Sequence, residues 1–241
     1  MGFNFALLDD HVQWHVFTTY PVNGEGINQW EYGDYGPPVS EEWIRLSLTL
    51  FSMLVMISSA LSHGMVVVPG GRMLYSWYIQ RNQNPRRWFE YTFSFGLVKV
   101  VIGLVVGISD IHILSAIFVL NATSMLLLSA HEKVNAKARN DGFYLLWFPY
   151  ICSIIPQLAN WCITASYFGA SLVRLDSISI YIWEIFILMF VFDLVLYLVL
   201  FYQWAKVGDF DYYVFGEVAL IVQAIMAKSF LAWITFGSGL R

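Results

Sequence analysis

The sequence predicts an all-α membrane protein whose chain crosses the bilayer several times. Three observations carry this reading. Of 241 residues, 58% are hydrophobic and only 12% are charged, about half the charged fraction of a soluble domain. Mean hydropathy is +0.60. Six apolar segments, at 44–68, 87–107, 111–131, 143–164, 178–203 and 213–237, are each long enough to span. Little mass remains for a separate soluble catalytic domain, so residues 1–241 read as one transmembrane domain.

Residues 1–20 amount to half a span at best, because Asp9, Asp10, His11 and His15 interrupt them. The same residues break any signal-peptide core, so no cleavable signal is expected. The stretch reads either as a short, polar first helix or as a segment resting at the interface. Counted as a helix, it brings the total to seven. Residues 21–43 are rich in Gly, Pro, Asn, Glu and Tyr and read as a long ordered loop or hairpin outside the bilayer. No repeat or low-complexity tract breaks the spans that follow. Cys152 and Cys162 share one apolar segment and read as packing residues, with no metal site expected. The 10 Trp, 14 Tyr and 19 Phe suit interfacial belts and equally a pocket around a flat conjugated ligand. Seven of the 17 acidic residues precede residue 43, the net charge is only −4, and nothing points to nucleic acid.

Loop charge sets an expected orientation. Arg72, Arg81, Arg86, Arg87, Lys133, Lys137, Arg139 and Lys206 fall on one side, against Arg45, Arg174 and Arg241 on the other. Eight against three puts the first set in the cytoplasm. The C-terminus and the 21–43 loop are then outside, and a spanning first segment would leave the N-terminus inside.

Ionisable residues within the spans are the candidates for function, since they are costly there. Lys228 is the only charged residue between Glu217 and Arg241. An amine at that depth is most economically explained as bound to a carbonyl ligand through a Schiff base. Glu90 reads either as an interfacial acid paired with Arg86 or Arg87, or as the counterion of a protonated Schiff base, each charge favouring the other. Ser94, one turn further and on the same face, is placed to hydrogen-bond that carboxylate. His63 reads as a satisfied polar core residue or as a proton acceptor, its pKa lying near neutrality. Glu184 and Asp193 sit nine residues apart in one span, on roughly opposite faces. Lys99 is a second lysine within a span, set to pair with either acid or to snorkel, and on its own it rivals Lys228 as the Schiff-base site until the motif around Lys228 is considered. Asn121 matches a glycosylation sequon but is mid-span, which favours a pocket-lining or interhelical hydrogen bond.

Taken in order, Ser-Ala-Leu-Ser-His-Gly (59–64), Asn-Gln-Asn-Pro-Arg-Arg-Trp-Phe-Glu-Tyr (82–91), Gly-Ile-Ser-Asp-Ile (107–111), Ala-Ile-Phe-Val-Leu-Asn-Ala (116–122), His-Glu-Lys (131–133), Leu-Trp-Phe (146–148), Ile-Ile-Pro (154–156) and Ala-Lys-Ser-Phe-Leu-Ala-Trp (227–233) resemble heliorhodopsins. The likeness runs from about residue 40 to the end. It implies a seven-transmembrane-helix rhodopsin-like bundle of inverted topology with a short first helix. It implies all-trans retinal on Lys228, Glu90 as the single counterion, His63 in a cytoplasmic polar cavity, and Ser94 and Asn121 near the chromophore. Met125, Phe192 and Trp233 complete the expected cofactor-binding set. The 21–43 loop would serve a homodimer interface. Most of the family's members are slow-cycling light sensors that pump no ions, some viral members are associated with light-dependent proton permeation, and no enzymatic activity is expected. The chain departs from the common pattern at Ala224, usually Ser, and at Gln157, usually Trp. It departs again at Glu184 and Lys99, usually apolar, and at Asp193, which replaces an amide. His11 and His15 match the inner-cavity histidine of the first helix only weakly.

The first functional expectation is therefore a retinal photoreceptor. A light-gated proton channel using Glu184, Asp193, Lys99 and His63 is the alternative. A membrane scaffold that modulates an unidentified signalling partner through loop 132–142 is the third.

Overall fold

In the computed structural model the described residues are 14–20, 39–142, 144–174 and 178–237. Two strands, β1 (Trp14–Tyr20) and β2 (Val39–Leu46), precede seven α-helices. These are α1 (Leu48–Val67), α2 (Pro69–Ile79), α3 (Pro85–Val105), α4 (Ile111–Asp141), α5 (Phe148–Arg174), α6 (Ile180–Ala205) and α7 (Tyr213–Gly237), with a 3-10 turn at Gly208–Asp211. Five of them, α1, α3, α4, α6 and α7, are long and apolar enough to cross a membrane.

The count of seven helices arises differently from the sequence reading. Before Leu48 the described residues hold an antiparallel hairpin and no helix. Trp14 pairs with Leu46 and Tyr20 with Val39, so the described part of the 1–20 stretch is a strand. Alternating Val, Phe and Thr residues favour that geometry. His15 lies on the hairpin surface, its Nδ1 2.9 Å from Glu42 Oε2. The seventh helix is instead α2, 11 residues within what reads as the loop at 69–86, with Pro69 in its first turn. Residues 1–13, with His11, and residues 21–38, most of the expected outer loop and dimer interface, lie outside the described residues, as does Arg241.

The helices start and stop where local chemistry dictates. Asn84 opens α3, its side chain accepting from the Arg87 N–H at 3.2 Å ahead of Pro85. Asp110 opens α4, accepting from the N–H groups of His112 and Ile113. Gly142 ends α4 with φ +73°, a left-handed conformation that glycine adopts without strain.

Packing inverts the soluble rule. α5, 27 residues long, buries Ser153, Gln157, Asn160 and Thr164 while Ile151, Ile155 and Leu158 face outward. In α1 the buried positions include Ser52, Ser59 and Ser62. Polar groups turned inward and aliphatic ones outward suit a lipid surround. α3 is the central helix, buried along nearly its whole length and packed against α1, α4 and α6. Gly96 lets α4 approach it, since a Cβ there would fall 2.6 Å from the Phe118 ring. The ring of neighbours runs from α6 through α7 and α1 to α3, α4 and α5. The backbones of α5 and α6 pack less closely, and aromatic side chains such as Trp161, Phe168 and Phe186 bridge them.

Candidate functional site

Three helices meet at Lys228. Its amine, on α7, donates to Glu90 Oε1 on α3 and, at 2.8 Å, to Ser59 Oγ on α1. The Ser59 hydroxyl in turn donates to Glu90 Oε1 at 2.9 Å. The Lys228 and Glu90 side chains are only 2% and 6% exposed. Neither charge reaches bulk water, so each is sustained by the other and by the serine. The faces of Tyr91 and Phe95 lie 5.3 and 4.8 Å from the amine and add cation–π stabilisation. Tyr91 is itself fixed, donating its hydroxyl to the Leu220 carbonyl at 2.9 Å.

Ser94 does not reach the Glu90 carboxylate. Its hydroxyl is fully buried and has no hydrogen-bond partner among the described residues; the Asn121 amide on α4 is in the same state. Met125, one turn beyond Asn121, is buried. Phe192 on α6 is partly buried, its ring 6.2 Å from that of Phe230 on α7. Trp233 turns away from this interior. It is 73% exposed and lines an outward-facing groove between α1 and α7 with Met53, Met56 and Ile57. His63 is half-buried on α1, one turn from Ser59, in electrostatic contact with Arg86 and Glu90 but hydrogen-bonded to neither. Arg86 instead donates to the Ser62 carbonyl and hydroxyl.

The remaining ionisable groups form two further clusters. Lys99 pairs with Asp193, which also accepts from Gln157 Nε2 and, at 2.6 Å, from Trp161 Nε1. Glu184 takes no part. It is partly exposed near the start of α6 and has no hydrogen bond or ion pair among the described residues. Arg87, 3% exposed, bridges two carboxylates, Glu132 on α4 and Glu217 on α7. Asn84 and Tyr213 complete that network, Asn84 donating to both acids and Tyr213 to Glu132.

Sequence reasoning did not single out Ser59 or the Arg87 cluster. Ser59 carries no ionisable group, and in its motif the ionisable His63 drew the reading instead. Arg87 sits at the edge of a loop and reads there as a topological charge; only the presence of Glu217 inside the last span hinted that a partner was needed.

The interior thus offers a buried amine with one carboxylate, and buried polar groups on α3 and α4 without partners among the described residues. The buried amine with its single carboxylate is the part that fits a bound group, since such an amine could hold a carbonyl ligand as a protonated Schiff base. No curated protein matches the chain. The family model for heliorhodopsins matches residues 2–240, nearly the whole chain. The chain is an integral multi-pass membrane protein and belongs to the heliorhodopsins, a family of retinal-binding membrane photoreceptors.

Proposed function

We propose that this chain is a light sensor in which Lys228 carries all-trans retinal as a Schiff base and Glu90 is the counterion. The observation that carries the reading is the closed Lys228–Glu90–Ser59 contact inside the bundle. Bound at Lys228, retinal supplies visible absorption and a light-driven change of shape. The protein's residues do the rest. Glu90 holds the proton of the Lys228 nitrogen by offering the only carboxylate within hydrogen-bond reach among the described residues. Ser59 aligns donor and acceptor. Tyr91 and Phe95 exclude water and present their faces to the cation. Ser94, Asn121 and Met125 line the interior along which the conjugated chain would lie. A proton leaving the Lys228 nitrogen has Glu90 as its nearest acceptor and the His63 side as its next.

The proton-channel reading is less well supported. Asp193 and Lys99 are committed to one another rather than exposed along a path, and Glu184 stands apart from both.

The test is spectroscopic. The purified protein reconstituted with retinal should show a visible band, and Lys228→Ala should be colourless. Glu90→Gln should move the band to longer wavelength, because the anion that favours charge on the nitrogen is gone. Its protonated, visible-absorbing form should also give way at lower pH than in the parent. Retained colour in Lys228→Ala would sink the reading, and an unmoved Glu90→Gln band would assign the counterion elsewhere.

A further inference from the structure

A second buried lysine–carboxylate pair lies on the opposite side of α3. Lys99 and Glu90 are nine residues apart, about 13.5 Å along the helix axis and half a turn out of phase. Lys99 is 2% exposed, Gln157 5% and Asp193 8%. One oxygen of Asp193 receives the donors of Lys99 from α3 and of Gln157 and Trp161 from α5. The Lys99 amine also stands 3.8 Å from the centre of the Trp161 ring. A buried ion pair of this kind is often no more stabilising than apolar residues of equal volume, so stability alone does not account for it.

Its position relative to Lys228 is fixed by two contacts. Gln223 on α7 donates to the Phe192 carbonyl at 3.0 Å, and Phe192 stands beside Phe230. Asp193 follows Phe192, and Phe230 lies two residues past Lys228. Asp193 is therefore level with the Lys228 segment but directed to α3 and α5 instead of α1. Buried polar atoms without partners among the described residues occur on α3 (Ser94), α4 (Asn121), α5 (Gln157 Oε1) and α7 (Gln223 Oε1). Ser94 falls between Glu90 and Lys99 along α3. The two ion pairs thus bracket an interior lined with unsatisfied polar groups.

We propose that Lys99–Asp193 is a colour-setting charge pair at the end of the chromophore site remote from Lys228; this rests on the retinal reading given above. Absorption by a protonated conjugated imine moves positive charge away from the nitrogen along the chain. A negative charge at the far end then favours the excited state and lengthens the absorbed wavelength, and a positive charge there shortens it. As a closed pair the two effects oppose one another.

The sign of the shift is what a purely structural staple would not produce. In the full chain with retinal bound, Lys99→Gln leaves Asp193 and should move the visible band to longer wavelength. Asp193→Asn leaves Lys99 and should move it to shorter wavelength. The Lys99→Gln/Asp193→Asn double variant should return towards the parent, and Lys99→Arg, which keeps the charge, should leave the band in place. Spectra are recorded across a pH range so that the surviving group is measured in its charged form. Melting of the retinal-free proteins provides the fold control and a readout independent of the chromophore: each single variant leaves one buried charge unpaired and should melt cooperatively but below the parent, and the double variant, with neither charge left, should recover most of that loss. Shifts of one sign in both single variants, or none in variants that fold, would overturn the inference. A parent with no visible band would instead remove the retinal reading on which it stands.

Discussion

At the scale of single residues, the site depends on one hydroxyl that has no charge of its own. Ser59 accepts from Lys228 and donates to Glu90, so it supports both ions at once. Hydrogen bonds to charged groups contribute about 1.5–3 kcal/mol each in buried settings. Ser59→Ala should therefore loosen the pair without abolishing colour. The visible band should move in the same direction as in Glu90→Gln but by less, and an absorption spectrum of the two variants side by side checks this. An unmoved band in Ser59→Ala would mean that the carboxylate alone sets the environment of the nitrogen. Lys228 and Glu90 were legible in the sequence because an ionisable residue in an apolar run is conspicuous. Ser59 was not, because α1 carries serines at 52, 58, 59 and 62 and only the rotation of α1 against α3 selects one of them. The same limit applies to Trp233, whose neighbours in sequence suggest a pocket while its helical phase turns it outward.

At the scale of elements, the hairpin and the α3–α4 turn form one unit. Val16 is fully buried, the Phe17 N–H donates to the Ser109 carbonyl at 2.8 Å, and Thr19 donates to Asp110 at 2.9 Å. Burial pushes the Asp110 carboxyl up, but the Thr19 hydroxyl and the N–H groups of Ile113 and His112 outweigh it and hold its pKa below the ordinary value. A depressed carboxylate contributes stability that is present above the unfolded-state pKa and lost as pH falls through the folded one. Asp110→Ala should cost about 1 kcal/mol at neutral pH, the usual worth of a helix N-cap. The gap between variant and parent should close as the solution is acidified. Thermal unfolding of both proteins over that range is the measurement, and a gap independent of pH would show that the cap acts through shape and not charge. The apolar spans were readable because composition alone defines them. The strands β1 and β2 were not, although a hairpin was one reading of 21–43, because their pairing joins residues 19 to 32 apart, and α2 was hidden by the glycines and arginine in its first turn.

At the scale of the whole molecule, buried charge does the joining that a hydrophobic core does in water, since lipid gives apolar helix faces no reason to prefer each other. Each cluster links helices distant in sequence: Lys228 joins α7 to α3 and α1, Asp193 joins α6 to α3 and α5, and Arg87 joins α3 to α4 and α7. The Arg87 cluster is the most extensive, with Glu132, Glu217, Asn84 and Tyr213 all in direct hydrogen-bond contact. Removing its one cation would leave two carboxylates buried and facing each other. Arg87→Met should therefore destabilise the bundle by about 3–5 kcal/mol, the range for breaking a buried pair from one side. Glu217→Gln, which leaves the Arg87–Glu132 pair intact, should cost clearly less. Thermal or denaturant unfolding in a fixed detergent, with and without retinal, separates the two. Equal losses would mean that Arg87 acts mainly through Glu217. A negligible loss in Arg87→Met would mean that the acids accommodate each other by sharing a proton, and that the bundle is held at this end by packing alone.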